Sequence, residues 1–479
     1  MAAKGDRTVQ ARGGPEAPSA SGGVAIPRLV VSAPHRSSGK TTLSIGLCAA
    51  LAASGVAVQP FKKGPDFIDP MWLTAAAGRE CRNLDLFMMG EENIRGSFVR
   101  NGAGAGLALV EGNMGLYDSI EVDGRGSTAD MARTLGAPVI LIVDTRNMTR
   151  SVAPLLQGFT AFEPDIDIAG VVLNKVSGPR HEEKLRAVLE RYTDIEVLGA
   201  VRRRPEMGII MRHLGLQPAR ESLAPADVIG QIRQIIADSV DLERVRAIAA
   251  AAPPLAGGGV SGAAPAVEPS VRLGVARDRA FTLYDAENLE ALEAAGAELV
   301  PFSPISDAGL PTGLNGLYIG GGFPEVFMDE LEANTSMRSA VREAVQAGMP
   351  VYAECGGMMY LSRRMSWKDR SREMAGALPC DTVMHEKPRG HGYVKLRATG
   401  AGGWFAPGLV IRGHEFHYSE ITGLGDVGFA YDVLRGTGLD RQHDGIVYRN
   451  VIASYAHLHA LGSPGWAEGF VRFVREAAF

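Results

Sequence analysis

The chain has 479 residues, 46% of them hydrophobic and 22% charged, with a formal net charge of −5. That length exceeds one ordinary core and predicts two globular domains of average composition. The mild negative charge excludes non-specific nucleic-acid binding and adhesion to an anionic membrane, and no apolar run reaches bilayer-spanning length, so neither partner is expected.

The first 26 residues are rich in Gly, Ala, Pro and Ser without an apolar centre, which predicts a disordered tail rather than a secretory signal. Leu29–Ser32 is a short apolar strand, followed by Ser38-Gly39-Lys40-Thr41-Thr42 and a helical periodicity from Thr42 to Ala53. Strand, Gly-Lys-Thr loop and helix in that order form a phosphate clamp. Backbone N–H groups from Ser38 to Thr42 would cradle phosphate oxygens, Lys40 would neutralise them, and the Thr41 hydroxyl would join a Mg²⁺ shell. Pro34 stands where the motif usually has its first glycine.

A second strand, Val56–Phe61, leads into Lys62-Lys63-Gly64-Pro65-Asp66-Phe67-Ile68-Asp69-Pro70, read as a proline-stiffened loop. Its lysines and aspartates could hold Mg²⁺ and a carboxylate substrate together, and carboxyl ends of strands are where open α/β sheets bind ligands. Leu107–Glu111 is a third strand, ending in a carboxylate suited to Mg²⁺ and running on to Asp118. Pro138–Asp144 and Ile168–Asn174 are two more, and Asn174 offers an amide edge to adenine. Most of these runs are apolar throughout, as in a parallel sheet covered on both faces.

Ala249–Ser270 shifts to Ala, Pro and Gly and reads as a linker, giving a tail over 1–26, a first domain over 27–245, a linker over 246–270 and a second domain over 271–479. The α/β pattern then restarts, with no fixed-period repeat, and reaches Val351-Tyr352-Ala353-Glu354-Cys355-Gly356-Gly357. An apolar strand, a cysteine, glycines and a helical stretch are the pattern of a nucleophile on a tight turn. Gly320-Gly321-Gly322 ends another strand, and Gly321 and Gly322 could aim N–H groups at an oxyanion. His457 and His459 lie a hundred residues on, where a distant general base belongs. Cys48, Cys81, Cys355 and Cys380 lack metal-pair spacing and point to a reducing cytoplasm. His414 and His417 have no companion ligand pair, so substrate contact or core hydrogen bonding suits them better than a metal.

Together these motifs resemble the cobyrinic acid a,c-diamide synthase family from about Pro27 to the C-terminus. The resemblance implies a dethiobiotin-synthetase-like P-loop domain fused to a class I glutamine amidotransferase domain, both α/β. It implies that Lys40 and Thr41 bind ATP and Mg²⁺, and that Asp66, Asp69, Glu111 and Asp118, with Lys63 beside them, serve metal, nucleotide and substrate activation. Cys355 would be the glutaminase nucleophile and His457 its activator. Other class I amidotransferases carry a glutamate two residues after that histidine; His459 stands there, so a Cys355–His457 dyad is expected. The implied substrates are glutamine, ATP and a tetrapyrrole, either cobyrinic or hydrogenobyrinic acid or, alternatively, sirohydrochlorin or sirohaem. Arg36, Ser37 and Ser119 depart from the family pattern and bear on substrate choice. A nucleotide-switched regulatory protein with a dead amidotransferase module is disfavoured by His35, where such ATPases carry lysine, and by the intact Cys355 and His457. A shielded ammonia path between domains is expected; oligomeric state is left open.

Overall fold

A computed structural model describes residues 23–203, 211–212, 215–216, 225–255 and 268–477. The first module is built on seven parallel strands: β1 (Arg28–Ser32), β2 (Val58–Lys63), β3 (Arg82–Leu84), β4 (Leu107–Glu111), β5 (Val139–Asp144), β6 (Ile168–Val176) and β7 (Val197–Arg202). Their order across the sheet is β3-β2-β4-β1-β5-β6-β7. The apolar runs are continuous because alternate residues enter two different cores. Val30, Ala108, Val110 and Leu141 pack on one face, and Leu29, Val31, Leu109 and Ile140 on the other.

Three expectations are corrected here. Lys62 and Lys63 are the last residues of β2, not loop residues. Val24 bridges Leu255, and Ile26 is buried, so the last residues of the expected tail join the fold. The helix Leu242–Ala250 packs under β1 and β4, so the residues expected to begin the linker cover the first sheet instead. The rest of the expected tail (1–22) and the middle of the linker (256–267) lie outside the described residues.

The second module has a ten-stranded mixed sheet. Its parallel part runs Ala297–Phe302, Val271–Ala276, Gly316–Ile319, Val351–Glu354, Val451–Ser454. Antiparallel strands extend it through Gly390–Ala398 and Val410–His417 to the two-residue strand His457–Leu458. The nucleophile strand is therefore central, and the histidine returns to it through Val410–His417, which pairs His414 with His457.

The modules meet through polar contacts. Arg82 pairs with Glu290 at 2.6 Å, Ser97 donates to the buried Glu287 at 3.2 Å, and the Tyr393 hydroxyl donates to Asp85. Gly462 lies so close to the Met88 carbonyl that a Cβ there would stand 2.2 Å from the oxygen.

Candidate active site

Helix α1 (Lys40–Ala53) begins in the phosphate loop, and Gly39 before it has φ 107°, a left-handed conformation that favours glycine. The loop is braced from β6. The Asn174 amide donates to the Ser38 carbonyl at 2.7 Å, and Lys175 Nζ donates to the Ser37 carbonyl at 2.9 Å and to Asp144 at 2.8 Å. Asn174 Oδ1 also accepts from the Lys175 N–H, so the amide expected to read adenine also shapes the loop. Thr42 is half-buried in the first turn of α1. Burial, with Lys62 nearby, depresses Lys40 to about 8 against the pull of Glu111, Asp69 and Asp118.

Beside the loop sits a dense charge cluster. The Thr41 hydroxyl lies 2.7 Å from Glu111 and 3.3 Å from Asp69. Lys62 Nζ reaches Asp69 at 2.5 Å, Glu111 at 3.0 Å and Asp66 at 3.8 Å. Lys62, read from sequence only as one of the loop's two lysines, is its centre. The alternation of β2 was the available signal, since it turns Lys62 and Lys63 to opposite faces. Burial pushes Glu111 up to about 7 despite Lys62, while Lys62 and its hydrogen bond hold Asp69 below the usual range against burial. Asp66, expected as a metal ligand, accepts from the N–H groups of Ile68 and Asp69 at the start of the helix Ile68–Ala77. Asp118 accepts from Gly115 N–H at 2.9 Å and ties its loop against Pro34 of the phosphate loop.

Among the described residues no three carboxylate, histidine or cysteine side chains form a metal cage. Mg²⁺ does not need one, since it usually takes one or two protein oxygens with phosphate and water. Glu111 Oε2 is buried without a hydrogen-bond partner, and the Thr41 hydroxyl is close by, so the donor set fits a small cation.

In the second module Cys355 ends the strand Val351–Glu354 at φ 44°, ψ −100°, a strained turn, and its N–H is anchored on the Ser454 carbonyl at 2.7 Å. Two glycines make the turn. A Cβ on Gly357 would stand 2.0 Å from the Ile319 carbonyl oxygen, and one on Gly356 2.8 Å from Gly322 N. Gly321 and Gly322 form a short strand against Phe281–Leu283, and Gly321 lies directly under the His457 ring.

His457 interacts with Cys355, and its Nδ1 lies 3.3 Å from Glu354 Oε2, an ion-pair distance with the N–H not aimed squarely at the oxygen. Burial pulls His457 down, but Cys355 and Glu354 outweigh it and hold the ring up at about 10. His414 stacks on His457 with centroids 4.9 Å apart, and burial keeps His414 neutral. Phe67 arrives from the first module, 5.3 Å from His457. His417 stacks on Tyr455 at 3.5 Å and its Nδ1 donates to the Ser419 carbonyl at 2.8 Å, while the residue also lines the cavity between the modules. His459 is buried, pushed down to about 4 by burial, and its Nδ1 accepts from Leu461 N–H.

One cavity of about 1200 Å³ joins the two halves: Cys355 and His457 line it together with Lys63, Asp66 and Asn113. Its walls also carry Arg36, Arg125, Lys395, Arg412 and Arg435. Phe87 stacks on Tyr393 at 4.6 Å, with Arg412 and Arg435 over its ring.

A cysteine on a strand-to-helix turn with an imidazole beside it in one cavity, docked on a parallel-sheet phosphate loop, defines a glutamine amidotransferase coupled to a nucleotide-binding module. The comparisons agree. Residues 29–214 match the CobQ/CobB/MinD/ParA nucleotide binding domain, and 272–465 the CobB/CobQ-like glutamine amidotransferase domain. The chain is 49% identical to a cobyrinate a,c-diamide synthase of Magnetococcus marinus, over 94% of this chain and 98% of that one. It is 43% identical to the enzyme of that name from Methanosarcina acetivorans (91% and 93% covered) and 40% to that of Archaeoglobus fulgidus (93% and 97%). The chain belongs to the cobyrinate a,c-diamide synthase family and is a glutamine-dependent amide ligase. Among the described residues no helix is long and apolar enough to cross a membrane.

Proposed function

We propose that the chain converts the a- and c-side-chain carboxylates of cobyrinic or hydrogenobyrinic acid to carboxamides, using ATP and glutamine. Cys355 Sγ attacks the glutamine amide carbon. The C–N bond breaks, the proton on His457 leaves with the amine as ammonia, and water then cleaves the thioester to glutamate. In the first module a substrate carboxylate attacks the γ-phosphorus of ATP, giving an acyl phosphate and ADP. Phosphorylation is needed because a carboxylate is a poor electrophile. Ammonia then attacks the acyl carbon, the C–O bond breaks, and phosphate leaves with the surplus proton.

Lys40 and the loop N–H groups bind the phosphates, and Thr41 and Glu111 would hold Mg²⁺, whose charge shields the transferring phosphoryl group. Gly321 and Gly322 serve the oxyanion of the tetrahedral intermediates that precede and follow the thioester. Lys63, Asp69 and Asp118 orient the acceptor carboxylate and its loop.

The carrying observation is the shared cavity, whose walls combine the thiol, Arg36 of the phosphate loop, further arginines and an aromatic shelf. That suits a flat acceptor with several carboxylates and a nitrogen source in the same space. The test is turnover of cobyrinic acid, hydrogenobyrinic acid and sirohydrochlorin, with amides counted by mass spectrometry. Two amidations of the first pair are expected; exclusive turnover of sirohydrochlorin would overturn the assignment. Cys355→Ser should abolish glutamine use and retain amidation from ammonium salts.

A further inference from the structure

Glu354, the residue immediately before the nucleophile, stands against Nδ1 of the His457 ring. We propose that Glu354 is the positioning carboxylate of the glutaminase site, replacing the glutamate that related amidotransferases carry two residues after the histidine. The proposal rests on the glutaminase reading of Cys355 and His457.

The geometry carries it. Glu354 is 2% exposed and His457 3%. Glu354 Oε1 accepts from the Tyr352 hydroxyl at 2.8 Å and from Leu458 N–H at 3.3 Å, and Oε2 accepts from the Tyr318 hydroxyl at 3.2 Å. Those bonds fix both oxygens and leave Oε2 beside Nδ1. A buried carboxylate held this way keeps the proton on Nδ1 and turns Nε2 to the thiol. The kink at Cys355 makes this reachable, because without it consecutive residues of a strand point to opposite faces. His459, where the usual glutamate would stand, is turned to the turn that follows it and offers no charge.

Other groups around His457 do not compete for the role. Cys355 is its reaction partner, and His414 stacks flat on it as a neutral ring. Asp285 interacts with His457 electrostatically but is pushed well above the carboxylate range by burial, with Glu287 and Glu354 adding to the effect.

The test uses full-length Glu354→Gln and Glu354→Asp, measuring glutamine hydrolysis against pH and ammonium-supported amidation in parallel. For Glu354→Gln, glutamine-dependent turnover should fall by about 10²-fold or more, as when a triad carboxylate is made neutral. Ammonium-supported amidation should remain. The high-pH limb of glutamine hydrolysis, where His457 loses its proton, should move to lower pH. Glu354→Asp should recover part of the rate and restore the limb toward wild type. Parallel loss of both activities in both variants would mark a merely structural carboxylate and overturn the proposal, as would wild-type glutaminase with an unmoved limb in Glu354→Gln. A wild-type chain that hydrolyses no glutamine would instead sink the underlying reading.

Discussion

Replacing Lys62 with methionine keeps the stem and deletes the charge between Asp69 and Glu111. The ammonium is 2.5 Å from one carboxylate and 3.0 Å from the other, with side-chain exposures of 3% for Lys62, 14% for Asp69 and 0% for Glu111. At an effective dielectric of about 20, one such pair at 3 Å is worth about 5–6 kcal/mol of Coulomb energy. Desolvation offsets much of that, and removing one partner of a buried pair costs about 3–5 kcal/mol because a charge is left uncompensated. Lys62→Met should therefore destabilise the first module by about that amount, read as a shift in its calorimetric unfolding. The cost should depend on pH. Without Lys62 the carboxylates take up protons more readily in the folded state than in the unfolded one. Stability is then lost as pH rises above the unfolded carboxylate range, and the penalty is smaller in acid. Adding Glu111→Gln to Lys62→Met should return part of the loss. A cost below about 1 kcal/mol, or one indifferent to pH, would show that packing rather than charge holds this cluster together.

Binding of Mg²⁺ with nucleotide should release a proton, because Glu111 sits at about 7 and a cation favours its ionised form. Calorimetry in buffers of different ionisation enthalpy reads this directly; affinity should weaken as pH falls through about 7, and a flat profile counts against Glu111 as a ligand. Arg412→Met and Arg435→Met should each raise the acceptor KM by about tenfold, the value of one charge-assisted hydrogen bond, with kcat nearly constant. Steady-state kinetics with ammonium as nitrogen source checks it, and an unchanged KM would remove these arginines from the acceptor site.

Much of the fold was legible because parallel strands buried on both faces leave continuous apolar runs, as in Leu107–Glu111, which the structure reproduces residue for residue. The nucleophile turn was legible for a similar reason: Gly356 and Gly357 are demanded by backbone within 3 Å of where a side chain would start. The specific roles of Lys62 and Glu354 were not, although sequence marks Lys62 as part of a charged loop. Each is a charged residue at a strand end, and its role depends on partners far along the chain, Glu111 for one and His457 for the other. For Asn174 sequence shows only an amide at a strand end, and the fold alone shows that it braces the phosphate loop at Ser38. The linker's start was misplaced because an Ala-rich segment serves equally as a helix against β1 and β4.

The chamber between the modules has a quantitative consequence for nitrogen transfer. A single ammonia molecule held within about 1200 Å³ would be at an effective concentration on the order of 1 M. In dilute neutral solution most of the same molecule would become ammonium, with no lone pair to offer. On the proposed reaction, docking the halves around one cavity would do the work of a high ammonia supply that the surrounding medium need not contain.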